Sequence, residues 1–83
     1  MKEVINGKLY NTEDSVLVID NGKGIGENNR GLYRTKKGNW FKVYFNGLFN
    51  DHILPLTNEE SRNILGLTSV EKYIEYFDNP ENA

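Results

Sequence analysis

An α+β fold is predicted for this chain: a small, mostly antiparallel sheet of about four strands with two short C-terminal helices packed on one face. Three observations predict it. Residues 32–47, LYRTKKGNWFKVYFNG, set two runs of β-prone residues around a Lys-Lys-Gly-Asn turn. Residues 15–19, SVLVI, form a short, β-branched apolar run. From Thr57 onward the apolar residues change to helical spacing.

Taken in order, Glu3 to Tyr10 carries Asn6-Gly7 between Val4-Ile5 and Lys8-Leu9, the preferred pair for a type I′ turn, so an opening hairpin is expected. Asn11-Thr12-Glu13-Asp14 is turn-forming, with Thr12 or Asp14 as the expected cap of a helical turn. The Ser15–Ile19 run is nearly continuous in apolar residues, which fits a central strand buried on both faces. Residues 20–29, DNGKGIGENN, read as a flexible glycine-rich loop.

In the central hairpin, strand alternation sends Phe41, Val43 and Phe45 to one face and Trp40, Lys42 and Tyr44 to the other. Two turn geometries fit the sequence, a two-residue Gly38-Asn39 turn or a type I turn with a glycine bulge. Leu48 to His52 is a connection, and Ile53-Leu54-Pro55-Leu56 is an extended piece that Pro55 confines to an edge or a strand end. Thr57-Asn58-Glu59-Glu60 spells a capping box, with Gly66 as the expected helix stop. Thr68-Ser69-Val70-Glu71 spells a second one, and Val70, Tyr73, Ile74 and Phe77 fall on one stripe. Asp78-Asn79-Pro80 ends that helix, and residues 81–83 are expected to fray.

The 83 residues suffice for one domain, residues 1–83. Without cysteine there are no disulfides or thiolate metal sites, and the core must hold the fold alone. No apolar run is long enough to cross a bilayer and the N-terminus lacks a signal-like apolar segment, so a cytoplasmic protein with no membrane association is expected. The net charge of −2 hides an asymmetry. Residues 1–47 hold eight Lys/Arg against five Asp/Glu, whereas residues 48–83 hold two against seven. This polarity argues against a simple polycation.

No catalytic site is read from the residues, and neither a cofactor nor a metal is expected. Val18 to Ile25, VIDNGKGI, is similar to the nucleotide-binding signature of the histidine-kinase and Hsp90 type of ATPase. There an aspartate receives the adenine amino group. The chain lacks that family's metal-binding asparagine helix, its lid and its length, so a nucleotide enzyme using Gly22 to Gly26 is the weakest reading. The plain alternative is a loop whose Gly and Asn residues accept positive φ. Nor does Lys23 complete a phosphate loop. His52 is the only histidine, and the acids that follow have capping and solvation roles.

The expected partner-binding surface comprises Tyr33, Lys37, Trp40, Lys42 and Tyr44, with Arg34 and Lys36 near the turn. Aromatic and cationic residues dominate binding hot spots, and interleaved they also stack on bases and neutralise phosphates. The competing reading is that the helices cover Trp40 and Tyr44 while the lysines guard a sheet edge. A second, acidic surface collects Glu59, Glu60, Glu71, Glu75 and Asp78, able to occupy a basic groove meant for nucleic acid. Its ordinary reading is a solvated helix face with capping carboxylates.

The arrangement INGKLYNTE, then LYRTKKGNWF, then ILPLTNEESRNIL before EKYIEYF resembles short proteins carried by phages and mobile elements of bacteria. The resemblance spans nearly all the chain except the glycine-rich loop. It implies an inhibitor of host defence, of the anti-CRISPR kind, that binds an effector nuclease and blocks its DNA, guide or conformational cycle. The sequence reading is therefore a binding protein without catalysis that docks on a protein partner, with a small nucleic-acid-binding module as the alternative.

Overall fold

The computed structural model describes residues 1–20, 29–45 and 51–82. The glycine-rich loop expected at 20–29 falls outside these residues apart from its two ends, as does most of the connection after the central hairpin. The fold is α+β: a two-stranded hairpin, a four-stranded antiparallel sheet and two helices near the C-terminus.

Strands β1 (Lys2–Ile5) and β2 (Lys8–Asn11) pair through the two-residue Asn6-Gly7 turn, with φ of 52° and 77° at those positions. Both positive values are what a type I′ turn requires. A single 3-10 turn, Thr12–Asp14, follows. Its cap is neither Thr12 nor Asp14 but Asn11, whose side chain accepts the Glu13 N–H at 3.1 Å. The strand residue preceding the turn already has the extended backbone a cap needs.

Strands β3 (Val16–Asp20), β4 (Asn29–Arg34), β5 (Trp40–Phe45) and β6 (Asp51–Leu56) form a meander in sequence order. The β4–β5 turn is the type I turn with a glycine bulge. Gly38 N–H donates to Thr35 O at 2.9 Å, Thr35 N–H donates to Asn39 O at 2.8 Å, and Gly38 has φ +87°. Pro55 lies in the edge strand β6, as its missing N–H demands.

Strand β3 is not central. It is the other edge, with Val16 and Leu17 exposed and Val18 and Ile19 buried. The pairing steps from Leu17↔Tyr33 to Ile19↔Leu32, so Val18 is an extra residue. That bulge breaks the strict alternation and turns two successive residues into the core, which a continuous apolar run cannot reveal.

Helix α1 (Asn58–Thr68) starts with a closed capping box: Glu60 N–H donates to Thr57 Oγ1 at 3.1 Å and Thr57 N–H donates to Glu60 Oε1 at 2.9 Å. It does not stop at Gly66. Thr68 and Ser69 continue the ladder, Ser69 N–H reaching Leu65 O at 2.8 Å, and a Cβ at Gly66 would make only ordinary contact with the Tyr73 ring, 3.8 Å away. Helix α2 (Val70–Tyr76) is capped by Ser69 rather than Thr68, the hydroxyl accepting from Lys72 N–H. Its packed stripe is also rotated from the expected one: Tyr73, Tyr76 and Phe77 meet the core, while Val70 and Ile74 point outward.

The sheet is covered on both faces. On the helix face Leu65 of α1 packs with Val18, Ile19, Leu32 and Trp40. On the other face Tyr10 of the opening hairpin packs on Phe41, Val43 and Ile53. Tyr10 meets Phe41 edge-on at 5.5 Å between ring centroids. Neighbouring residues Trp40 and Phe41 are therefore both sealed, at 2% and 0% exposure, on opposite faces.

Candidate functional site

The seven residues expected on one aromatic and basic surface are distributed over three environments. Trp40 is not on the surface. Tyr76 packs edge-on to its ring at 5.3 Å and Phe77 stacks on it at 5.8 Å, because the helices found their apolar partner on the Trp40 face. Tyr33 lies on the opposite face, since it pairs with Phe41 and stacks on that ring at 5.1 Å. Burial, with the Asp20 carboxylate adding to it, pushes the Tyr33 phenol above its ordinary pKa.

Arg34 is a packing group. Its guanidinium sits 5.3 Å from the Trp40 ring and 5.4 Å from that of Tyr76, and its Nε is shielded with no hydrogen-bond partner among the described residues. Stacking holds it in place. Lys42 and Tyr44 remain half-buried on the helix-side face, where Tyr44 meets His52 at 5.6 Å. Lys36 and Lys37 are exposed at the turn. No continuous aromatic and basic interface exists among these residues.

The acidic residues are all in solvent. Glu59, Glu60, Glu71, Glu75 and Asp78 are all exposed on α1, α2 and the residues just after them. Hydrogen bonds from the Thr57 backbone and hydroxyl hold the Glu60 carboxyl below its ordinary pKa, with the Lys42 charge adding to the effect. Glu75 pairs with Lys72 at 3.4 Å, an exposed contact of small energetic value.

Three apolar residues of the same helices are exposed as well, where the stripe expected for α2 put Val70 and Ile74 inward. Leu67, Val70 and Ile74 are 89%, 60% and 42% exposed. Val70 and Ile74 lie one turn apart on α2, and Leu67 lies in the last turn of α1. The signal was present in the sequence: Tyr73, Tyr76 and Phe77, at i, i+3 and i+4, already make a full inward stripe for so short a helix. The apolar residues beside it had to face elsewhere.

Among the described residues no group of three or more His, Asp or Glu is placed to hold a metal ion, and no helix is long and apolar enough to cross a membrane. Compared with protein-family models, curated proteins and solved structures, the chain matches none of them significantly.

Proposed function

We propose that this chain is a binding protein without catalysis, and that the outer face of α1 and α2 docks in a basic groove of a protein partner. The observation that carries this reading is the exposure of Leu67, Val70 and Ile74 on the same two helices that, with the residue just after them, expose five carboxylates. Apolar side chains left in water on a packed helix gain by being covered. The acids around them select a cationic partner and repel nucleic acid. A protein groove shaped for the phosphates of DNA or RNA offers both the charge and the apolar floor.

The resemblance to phage and mobile-element proteins supplies the class of partner, an effector nuclease of bacterial defence, and the mode of action is then exclusion of the effector's nucleic acid. The basic-hairpin alternative has lost its stacking platform, because Trp40 is sealed and Tyr33 faces away from Lys42 and Tyr44.

The test is displacement of fluorescent target DNA from guide-loaded effector nucleases of the native host. Wild-type protein should lower the DNA anisotropy, and the combined change Glu71→Lys, Glu75→Lys and Asp78→Lys should weaken that effect about tenfold or more with thermal stability retained. Ile74→Ala should weaken it separately. A charge-reversed variant as potent as wild type, or DNA binding by those effectors untouched by wild type, would remove the proposal.

A further inference from the structure

Most cations in the described residues are already engaged. Arg30 pairs with Asp51 at 3.4 Å and lies over the Phe45 ring. Arg34 stacks on Trp40 and Tyr76, Arg62 lies 4.9 Å from the Phe77 ring, Lys72 pairs with Glu75, and Lys42 acts on Glu60. The side chains of Lys2, Lys8, Lys36 and Lys37 make no ion pair or hydrogen bond among the described residues, and the last three of these residues line one cleft of about 400 Å³.

The opening hairpin forms one wall of this cleft and the 35–39 turn forms the other. Both walls are fixed by backbone geometry. Asn6 and Gly7 close the first turn, and two backbone hydrogen bonds plus the Asn39 N–H to Thr35 Oγ1 bond close the second. Asp14 is the single carboxylate in the lining, and its Oδ2 accepts a hydrogen bond from Asn11 Nδ2 at 3.2 Å. Three lysines against one carboxylate leave the lining with a net positive charge, which favours an anion.

The geometry points to a site for a phosphate-bearing ligand of mononucleotide size in this cleft, either a free nucleotide or one link of a nucleic-acid strand. Lysine ammonium groups act on phosphate as mobile point charges, which suits a group with several equivalent oxygens better than a single carboxylate. The volume exceeds what a bare phosphate fills and falls in the range of about 300–1,000 Å³ typical of small-ligand sites. Leu9, 59% exposed on the lining, offers apolar contact to the rest of the ligand. This site is separate from the acidic helical face and does not depend on its partner.

The experiment titrates ¹⁵N-labelled full-length protein with adenosine monophosphate and, separately, with a short oligothymidylate at low salt. Amide shifts should centre on Lys8, Leu9 and residues 35–39. Three lysine contacts to a single strand predict a log–log salt slope of about −2. The pair Lys36→Gln and Lys37→Gln should lose at least about tenfold in affinity while the rest of the spectrum keeps its dispersion, and Lys8→Gln should lose part of it. Response to both probes supports a free-nucleotide site, and response to the oligonucleotide alone supports recognition of a strand. No shift with either probe, shifts centred elsewhere, or wild-type affinity in the folded double variant would overturn the site.

Discussion

Glu3 accepts the backbone N–H of Ile53 on its Oε2 at 2.9 Å, joining the first strand to the last across fifty positions of chain. Strand β6 is an edge of the four-stranded sheet, and this carboxylate occupies a donor that would otherwise face outward unpaired. The same bond fastens the opening hairpin over Phe41, Val43 and Ile53. An acid in an exposed-looking hairpin is therefore part of how the second face of the sheet is closed.

Glu3→Ala should lower stability by about 1–2 kcal/mol, because it removes a charge-assisted hydrogen bond and leaves the donor without its acceptor. Hydrogen exchange at the Ile53 amide should accelerate more than at Lys42 in the sheet interior. Urea unfolding and native-state exchange check both parts; unchanged Ile53 protection would show that another group covers that edge.

Trp40→Ala should cost about 3–5 kcal/mol, since the ring is sealed beneath Tyr76 and Phe77 and its loss leaves a cavity that the helices cannot fill. That is a large share of the roughly 5–15 kcal/mol that holds a typical domain folded. Trp40 is the only tryptophan, so its fluorescence reports directly. Emission should be blue-shifted and poorly quenched by iodide in the folded protein, and an emission maximum characteristic of water would contradict the packing.

The pH dependence of α1 has a definite sign. The Thr57 hydrogen bonds hold the folded-state pKa of Glu60 below its unfolded value, so the ionised form stabilises the helix start fully above the ordinary Glu range. That contribution disappears as pH falls through the depressed folded value. Melting temperature followed from neutral pH down into the acid range should drop less steeply in Glu60→Gln than in wild type. Thr57→Ala should cost about 1 kcal/mol at neutral pH through loss of the cap itself.

Two glycines are needed for different reasons. Gly38 has φ +87°, and Gly38→Ala should cost about 1 kcal/mol in backbone strain, with a side chain meeting Arg34 Nη2 at 3.2 Å. At Gly31 a Cβ would lie 2.9 Å from Leu17 Cδ1 and 3.3 Å from the Ile19 carbonyl, so Gly31→Ala should cost about 1–3 kcal/mol by overpacking against β3. Chemical unfolding of the two variants, with the β3 amides followed by NMR, separates the effects: only the second should shift Leu17 and Ile19.

Signals that are local in physics were legible in the chain. Asn6-Gly7, the Thr57–Glu60 box and Pro55 each fix a backbone conformation through their own covalent structure or through partners within a few residues, and each appears where its chemistry requires. Signals that depend on what arrives from elsewhere are not legible in the chain. The VLVI run reads as a central strand, yet a bulge at Val18 lets an edge strand bury two successive residues. Of the expected α2 stripe, Tyr73 and Phe77 pack inward while Val70 and Ile74 do not, because Tyr76 takes the inward side against Trp40.

The sequence by itself determined the fold class, the turns that bend the chain, and the partition of Trp40 and Phe41 to opposite faces, because alternation and turn geometry are properties of a few consecutive residues. Tertiary structure alone decided that both faces would be covered, the first by α1 and α2 and the second by the opening hairpin. Burial is a property of pairs distant in the chain. Which apolar row or lysine cluster stays in water therefore follows only once every element has found its partner.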